Sequence, residues 1–427
     1  MPTIHIPPRP DLGLVVVIPC YNEPDLLYVL DCLWDCARPA GSVEVIVVVN
    51  ASRADAPAAH AQNRRTVALA EDWIASHTDN RLRFYVRHFP DLPPRHAGVG
   101  LARRLGMEEA VARFAAVHNP DGIIACLDAD CCCDRNYLTA LAAHFHAHPE
   151  SPGCSVYFEH PLDSATSRPS GTRAAIMGYE LHLRYYVHGL RYAGSPYAFY
   201  TVGSCMAVRV GVYKKQGGMN RRKAGEDFYF LQKIIWLGNF TELRGTRVLP
   251  SPRISGRTPF GTGRAMQDSL DRGEDTFYTY APEVFRDLGV LISGIEDCYG
   301  EGKADTRYAV DCAMESITGL PEYVLEFLNT RGFDERYAEI LRNAASPRTF
   351  RKRFHRWFNG LLTLQFIHFA TESRYPKVSV EQAAHRLLEW LASRSQSASG
   401  TGDLQGLPDR ESLLLRYRAM DRDTPCL

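Results

Sequence analysis

Four short apolar runs constrain this chain more than anything else in it. They lie at residues 14–18, 43–49, 82–86 and 122–127, and the first, Leu14-Val-Val-Val-Ile18, is unbroken and β-branched. Runs of this length suit buried strands and are too short for helices. Continuous β-branched composition, without alternation, is what a strand covered on both faces requires. Helical spacing fills the intervals. Leu26, Leu30 and Leu33 recur after the first run, residues 57–77 follow the second, and Met107, Val111, Phe114 and Val117 share a face before the fourth. Strand and helix in repeated alternation predict a mostly parallel sheet wound with helices.

The fourth run ends in Asp128-Ala-Asp130. In an open α/β sheet the carboxyl ends of strands are where ligands bind. Two hard oxygen ligands there suit Mg²⁺ or Mn²⁺, ions that share a carboxylate pair with substrate phosphates. The motif is short, and by itself it equally describes an acidic turn after a core strand.

Beyond Asp130 the pattern changes. A helix is predicted over 137–148, stopped by Pro149, then a strand over 155–158 and a long Tyr- and His-rich helix over 173–190. Residues 199–208 read as one or two strands around Gly203. Gly225-Glu226-Asp227 opens a helix over 228–237, and 247–263 looks irregular. Helical signal dominates afterwards, clearest at 268–289, 309–330 and 349–372, and 393–406 has linker composition. The expected division is a catalytic-type domain over 1–265 and a helical C-terminal region over 266–427.

Of the 427 residues, 49 are Lys or Arg and 49 are Asp or Glu, so the net charge is zero. That argues against a nucleic-acid partner, which needs a basic face. No apolar run reaches the roughly 18 residues that span a bilayer. The first ten residues lack the basic start and apolar core of a secretory signal. A cytoplasmic protein without transmembrane segments is expected, with peripheral membrane contact and oligomeric state left open. Twelve cysteines at irregular spacing fit no disulfide framework, so reduced buried thiols are expected.

Three further groups bear on chemistry. Pro19-Cys-Tyr21-Asn22-Glu23 places polar groups at the end of the first run, where they could meet a base or ribose, or serve as a helix cap. Glu226-Asp227 stands in a first helical turn. The helix dipole favours acids there, and a carboxylate so placed could also act as a general base. Arg253, Arg257 and Arg264 lie among Gly and Ser, where guanidinium forks could close on a diphosphate. Other signals are weaker. Gly98-Val-Gly100 continues to Arg103 rather than Gly, so the dinucleotide fingerprint fails. His144, His146 and His148 sit at a helix end, and Cys131, Cys132 and Cys133 are adjacent, so neither set forms a clear metal site.

Taken in order, Val-Val-Val-Ile-Pro-Cys-Tyr-Asn-Glu, Val-Ile-Val-Val-Val-Asn, Gly-Val-Gly-Leu-Ala-Arg-Arg-Leu-Gly-Met-Glu-Glu-Ala, Leu-Asp-Ala-Asp, Gly-Gly-Met and Gly-Glu-Asp-Phe resemble the family 2 glycosyltransferases of the GT-A fold, over about residues 13–265. The resemblance implies a Rossmann-like nucleotide-diphospho-sugar transferase. It implies transfer of a single sugar to an acceptor hydroxyl by a metal-dependent, inverting, hexosyltransferase-like enzyme. The nucleotide-sugar-binding set would be Tyr21, Glu23, Asn50, Arg103, Asp128 and Arg257. Asp128 and Asp130 would hold Mg²⁺ or Mn²⁺, Asp227 would be the catalytic base, and Gly217, Gly218 and Glu226 would shape the acceptor side. Asn50 stands where the family often has Asp, which leaves the base identity open. Gln232-Lys-Ile-Ile-Trp236 only half resembles the motif of processive synthases. A sugar nucleotidyltransferase is disfavoured because no Gly-rich basic loop follows the first run. A catalytically silent nucleotide-sugar-binding scaffold or sensor is the remaining alternative.

Overall fold

The computed structural model describes residues 3–162, 171–253, 276–297, 299, 315, 319–395 and 408–423. The predicted alternation is present. It begins with β1 (Leu12–Cys20), α1 (Leu26–Trp34), β2 (Ser42–Ser52), α2 (Pro57–Ser76), β3 (Leu82–Leu92), α3 (Val99–Ala116) and β4 (Ile123–Cys126). Then follow β5 (Cys131–Cys133), α4 (Tyr137–Ala147), β6 (Gly153–Phe158), α5 (Thr172–Tyr192), β7 (Met206–Arg209), α6 (Val210–Lys215), α7 (Glu226–Ile235) and β8 (Thr241–Pro250).

These strands form one eight-stranded sheet in the order β3-β2-β1-β4-β7-β6-β8-β5. The β1–β2, β1–β4, β2–β3 and β6–β8 ladders are parallel, and the ladders β4–β7, β6–β7 and β5–β8 are antiparallel. All of β2 is buried and β1 nearly so, as their high Val and Ile content requires. A buried ion pair lies inside this core. Glu44 of β2 accepts a two-pronged hydrogen bond from Arg113 of α3, one arm at 2.6 Å. Removing either partner would strand a buried charge, at a cost of about 3–5 kcal/mol.

Several expectations are corrected. Residues 199–205 are not strand, and only Met206–Arg209 pairs, with β4 and β6. Residues 241–250 are a strand, although 247 onward reads as irregular in sequence. The helical stretch 349–372 is two helices, because Asn359 caps the second by accepting from the amides of Leu361 and Leu362 at 3.0 and 3.1 Å. The thiols are not all reduced, since Cys32 and Cys132 form a disulfide that joins α1 to β5. Sequence spacing could not show it, because the sheet rather than the chain brings the two together. Residues 268–275, 309–314 and 396–406, which carry parts of the predicted helices and linker, lie outside the described residues.

The chain divides into two compact units. The first holds residues 1–176, 200–271 and 420–427 and contains the eight-stranded sheet. The second holds 177–199 and 272–419. It contains β9 (Tyr278–Thr279), α8 (Pro282–Asp297), α9 (Glu322–Thr330), α10 (Phe333–Arg342), α11 (Pro347–Trp357), α12 (Gly360–Ser373), β10 (Val378–Ser379) and α13 (Val380–Ser395). Two of the unit boundaries, at 176/177 and 419/420, fall inside α5 and inside α14 (Arg410–Asp423). The core of the second unit is aromatic: Phe285, Phe327, Phe333, Tyr337, Phe350 and Phe354 are all buried. Within it Glu180 is buried and accepts from both Arg184 (2.9 Å) and Arg418 (2.7 Å). Among the described residues no helix is long and apolar enough to cross a membrane.

Candidate functional site

The parallel strands β1, β2 and β4 point their carboxyl ends the same way, and the polar residues singled out in the sequence collect there. The turn after β1 is held by α2. Asn22 adopts a left-handed backbone (φ 48°), which Asn tolerates better than most residues. Its amide donates to Oδ1 of Asn63 at 2.8 Å, and Nδ2 of the same Asn63 donates to the carbonyl of Asn50 at 2.9 Å. One turn on, Thr66 donates to the carbonyl of Glu23 at 2.7 Å. Asn63 and Thr66 thus tie the ends of β1 and β2 together. Both are buried, and neither is legible as functional in sequence. The only hint is two polar residues three apart on the core face of α2.

Arg103 is the hub beneath the Asp-x-Asp turn. It is buried in α3, donating through Nη2 to Asp128 and through Nη1 to Glu226. Two glycines make room. A Cβ on Gly203 would collide with the guanidinium, and one on Gly100 would meet the Arg222 carbonyl and stand 3.0 Å from Cβ of Glu226. The Gly98-Val-Gly100 signal is therefore a packing requirement of α3. Burial works against the Arg103 charge, and Asp128 and Glu226 outweigh it.

Glu226 and Asp227 open α7, behind Gly225 at φ 67°. Glu226 is buried, whereas Asp227 is only half-buried and its Oδ1 accepts from the Phe228 amide at 2.8 Å. Burial pushes the Glu226 carboxyl up to about 7, with Arg103 opposing and Asp227 adding to the rise. Asp227 is raised above the ordinary carboxylate value by burial as well, against Arg103 and the amides of Phe228 and Gly203. Burial is the first cause of both rises, and neighbouring negative charge adds to it. Gly217 and Gly218, both at positive φ, form the turn after α6, and the Gly218 amide donates to the Tyr213 carbonyl at 3.0 Å.

Asp128 and Asp130 keep 37% and 28% of their side chains exposed, so a ligand can reach them. Arg253, three residues beyond the end of β8, reaches back to this edge. Its Nη1 donates to Glu23 Oε1 at 2.8 Å, and its Nη2 donates to the other Glu23 oxygen and to Asp130 Oδ2 at 3.0 Å. Asp25 lies 3.6 Å from Nη1. Arg257 falls outside the described residues, so of the loop arginines Arg253 is the one the structure places at the site.

The structure therefore gathers Glu23, Asn50, Arg103, Asp128, Asp130, Glu226 and Asp227 into the sheet-bearing unit through the contacts above. A hard divalent ion fits the oxygen chemistry of Asp128 and Asp130. It would need its other ligands from substrate and water, because no cluster of three metal-ligating side chains occurs among the described residues.

Comparison with known proteins completes the picture. Solved structures similar to this chain include Staphylococcus aureus TarS residues 1–349 in complex with UDP-GlcNAc, at 15% identity and TM-score 0.39, covering 80% of this chain and 89% of that one. Another is the mannosyltransferase PcManGT from Pyrobaculum calidifontis in complex with GDP-Man and Mn²⁺, at 14% identity and TM-score 0.37, covering 98% of this chain and 89% of that one. A comparison with curated proteins gives no match. The model of the glycosyl transferase family 2 matches residues 15–217, the segment that runs from within β1 to just past α6 and includes all of the Asp-x-Asp turn. Over residues 15–217 the chain therefore carries a glycosyl transferase family 2 domain, the family its sequence motifs resemble.

Proposed function

We propose that this glycosyltransferase moves a single sugar from a nucleotide-diphosphate sugar to an acceptor hydroxyl, with inversion. The observation that carries the reading is the Arg103 hub, which ties the donor-side Asp128 to Glu226 and so to its neighbour Asp227. Tyr21, Glu23 and Asn50 take the nucleotide end, at the joined termini of β1 and β2. Asp128 and Asp130 hold Mg²⁺ or Mn²⁺ together with the donor diphosphate. When bound, the ion supplies positive charge against the negative charge that builds on the leaving diphosphate.

Asp227 is the general base. Its carboxylate takes the proton of the acceptor hydroxyl as the oxygen attacks the anomeric carbon, and the bond to the diphosphate breaks on the opposite face. Being half-buried and raised toward neutrality suits it to hold that proton. Glu226 is occupied with Arg103 and acts as a positioning residue. Orientation of donor and acceptor supplies much of the remaining rate gain.

The test is a thermal-shift screen of UDP, GDP, CDP, ADP and dTDP, each with and without Mn²⁺. A selective rise in melting temperature that needs the ion supports the reading, because a ligand stabilises the state it binds by mass action. No shift with any nucleotide, under either condition, would overturn it.

A further inference from the structure

We propose that the sugar acceptor of this enzyme carries a phosphate, and that the segment 214–223 is the site that grips it. The inference rests on the reading of Asp227 as the base and of Gly217, Gly218 and Glu226 as the acceptor side. It goes further by assigning the chemical class of the acceptor.

The chain as a whole is neutral, with 49 basic and 49 acidic residues, but this segment is not. Lys214, Lys215, Arg221, Arg222 and Lys223 fall within ten residues that contain no Asp or Glu. All five are exposed, and none of them forms an ion pair among the described residues. Neighbouring acids are already engaged. Glu108, beside Gly218, is paired with Arg104 at 3.5 Å, and Glu226 is paired with Arg103.

The cations bracket the proposed acceptor side. Lys214 and Lys215 end α6, just before Gly217 and Gly218, and the other three precede Gly225 at the start of α7. The second group is held in place. Asn220 Oδ1 accepts from the Arg222 amide at 3.1 Å, and Nδ2 of the same Asn220 donates to the Glu226 carbonyl at 2.8 Å. The Arg222 carbonyl and the Glu226 side chain flank the same glycine, Gly100, where a Cβ would meet both. The Arg222 guanidinium lies 3.8 Å from the centre of the Tyr229 ring in α7, which orients it, and its N–H groups make no hydrogen bond among the described residues.

A phosphate answers this arrangement and a neutral group does not. Its oxygens accept charge-assisted hydrogen bonds from arginine forks and lysine ammonium groups. Gripped at that end, the acceptor has a hydroxyl elsewhere in the molecule left for Asp227. Binding energy from a part that does not react then orients the part that does.

The test is calorimetric titration of the full-length protein, in Mg²⁺ with saturating UDP or GDP, by glycerol 3-phosphate and separately by glycerol. The nucleotide keeps the probe out of the donor site. In a second arm the protein is pelleted with phosphatidylcholine vesicles, with and without phosphatidate, which separates a lipid-borne phosphate from a soluble one. Binding is expected with the phosphate-bearing probe of at least one arm and not with its phosphate-free counterpart. Arg221→Gln combined with Lys223→Gln should weaken it about tenfold while sparing the stack of Arg222 on Tyr229. Removing two exposed charges elsewhere, by Arg64→Gln with Arg65→Gln in α2, should leave it unchanged. Absence of binding in both arms overturns the proposal, as does binding that the Arg221/Lys223 variant retains in full or that both double variants lose alike. The transferase reading is judged separately, by the nucleotide thermal shift of the parent. If that shift is absent, the reading fails, and the same titrations without nucleotide still decide whether the segment holds phosphate.

Discussion

The buried Glu226 carboxylate accepts a hydrogen bond from Arg103, a residue 123 positions earlier in the chain. Arg103 also serves Asp128, so one guanidinium is shared by groups on the donor and base sides of the proposed reaction. The pH dependence follows from this crowding. Asp227 works as a base only when ionised, and its carboxyl is raised. The acid limb of kcat/KM therefore lies above the usual carboxylate range, with activity lost as pH falls through it. Glu226→Gln removes one of the competing negative charges, leaving Arg103 more fully to Asp128 and Asp227, and shifts that limb downward. A limb that stays in place in the variant's pH profile would separate Asp227 from the hub.

Stability has its own pH window. Glu226 ionises near 4.5 when unfolded and near 7 when folded. Between those values the folded state binds more protons, so its contribution is fully present below about 4.5 and declines as pH rises towards 7. Urea midpoints across that range should fall with pH in the parent more steeply than in Glu226→Gln.

Asp227→Asn leaves the shape and hydrogen bonds of the first turn of α7 nearly intact. It should lower transfer by about 10²–10⁴-fold, the usual worth of a general base, while the nucleotide-induced thermal shift persists. Full activity in this variant would remove Asp227 from the mechanism.

Asn63 satisfies two backbone groups at once, the Asn22 amide and the Asn50 carbonyl. Asn63→Ala orphans both and should cost about 1–3 kcal/mol in chemical denaturation. Nucleotide affinity should drop with it, because both termini it joins face the proposed nucleotide site. A variant that is destabilised yet binds nucleotide as the parent does would confine Asn63 to the fold.

The disulfide closes a span of 100 residues between Cys32 and Cys132. Its loss in Cys132→Ser should cost about 2–5 kcal/mol. Reductant should lower the melting temperature of the parent to that of the variant and leave the variant unchanged.

The parts of this molecule that were legible in sequence are those with a local cause. β1 and β2 announce themselves as β-branched runs and β3 and β4 as short runs between helical segments, and α2 has the expected extent because its pattern is local. The Asp-x-Asp turn is visible because it ends an apolar run, and Glu226-Asp227 because it opens a periodic helical segment. β5 was not, since three cysteines have neither the length nor the pattern of a strand. β8 was missed because it is only partly buried and its Arg and Gly residues mimic a loop. Asn63 lies beyond any local pattern, and Arg253 shows only as one of three loop arginines, because their partners are 13 to 230 positions away. The relationships of Gly203 to Arg103, and of Gly100 to Arg222 and Glu226, depend on helix and loop approaching side by side. A glycine in sequence does not say which neighbour needs the space.

The strand order carries a consequence for how the chain comes to be assembled. β8 lies between β6 and β5, yet it is made last of the three. Until residue 250 has emerged, β5 lacks its sheet partner and β6 presents one bare edge to whatever is nearby. A nascent chain halted near residue 240 would hold the polar turn of the donor site in an unfinished sheet, with two templates open for pairing with a neighbour. Sheet completion and the delivery of Arg253 to Asp130 are thus a single late event, set by the same ten residues of chain.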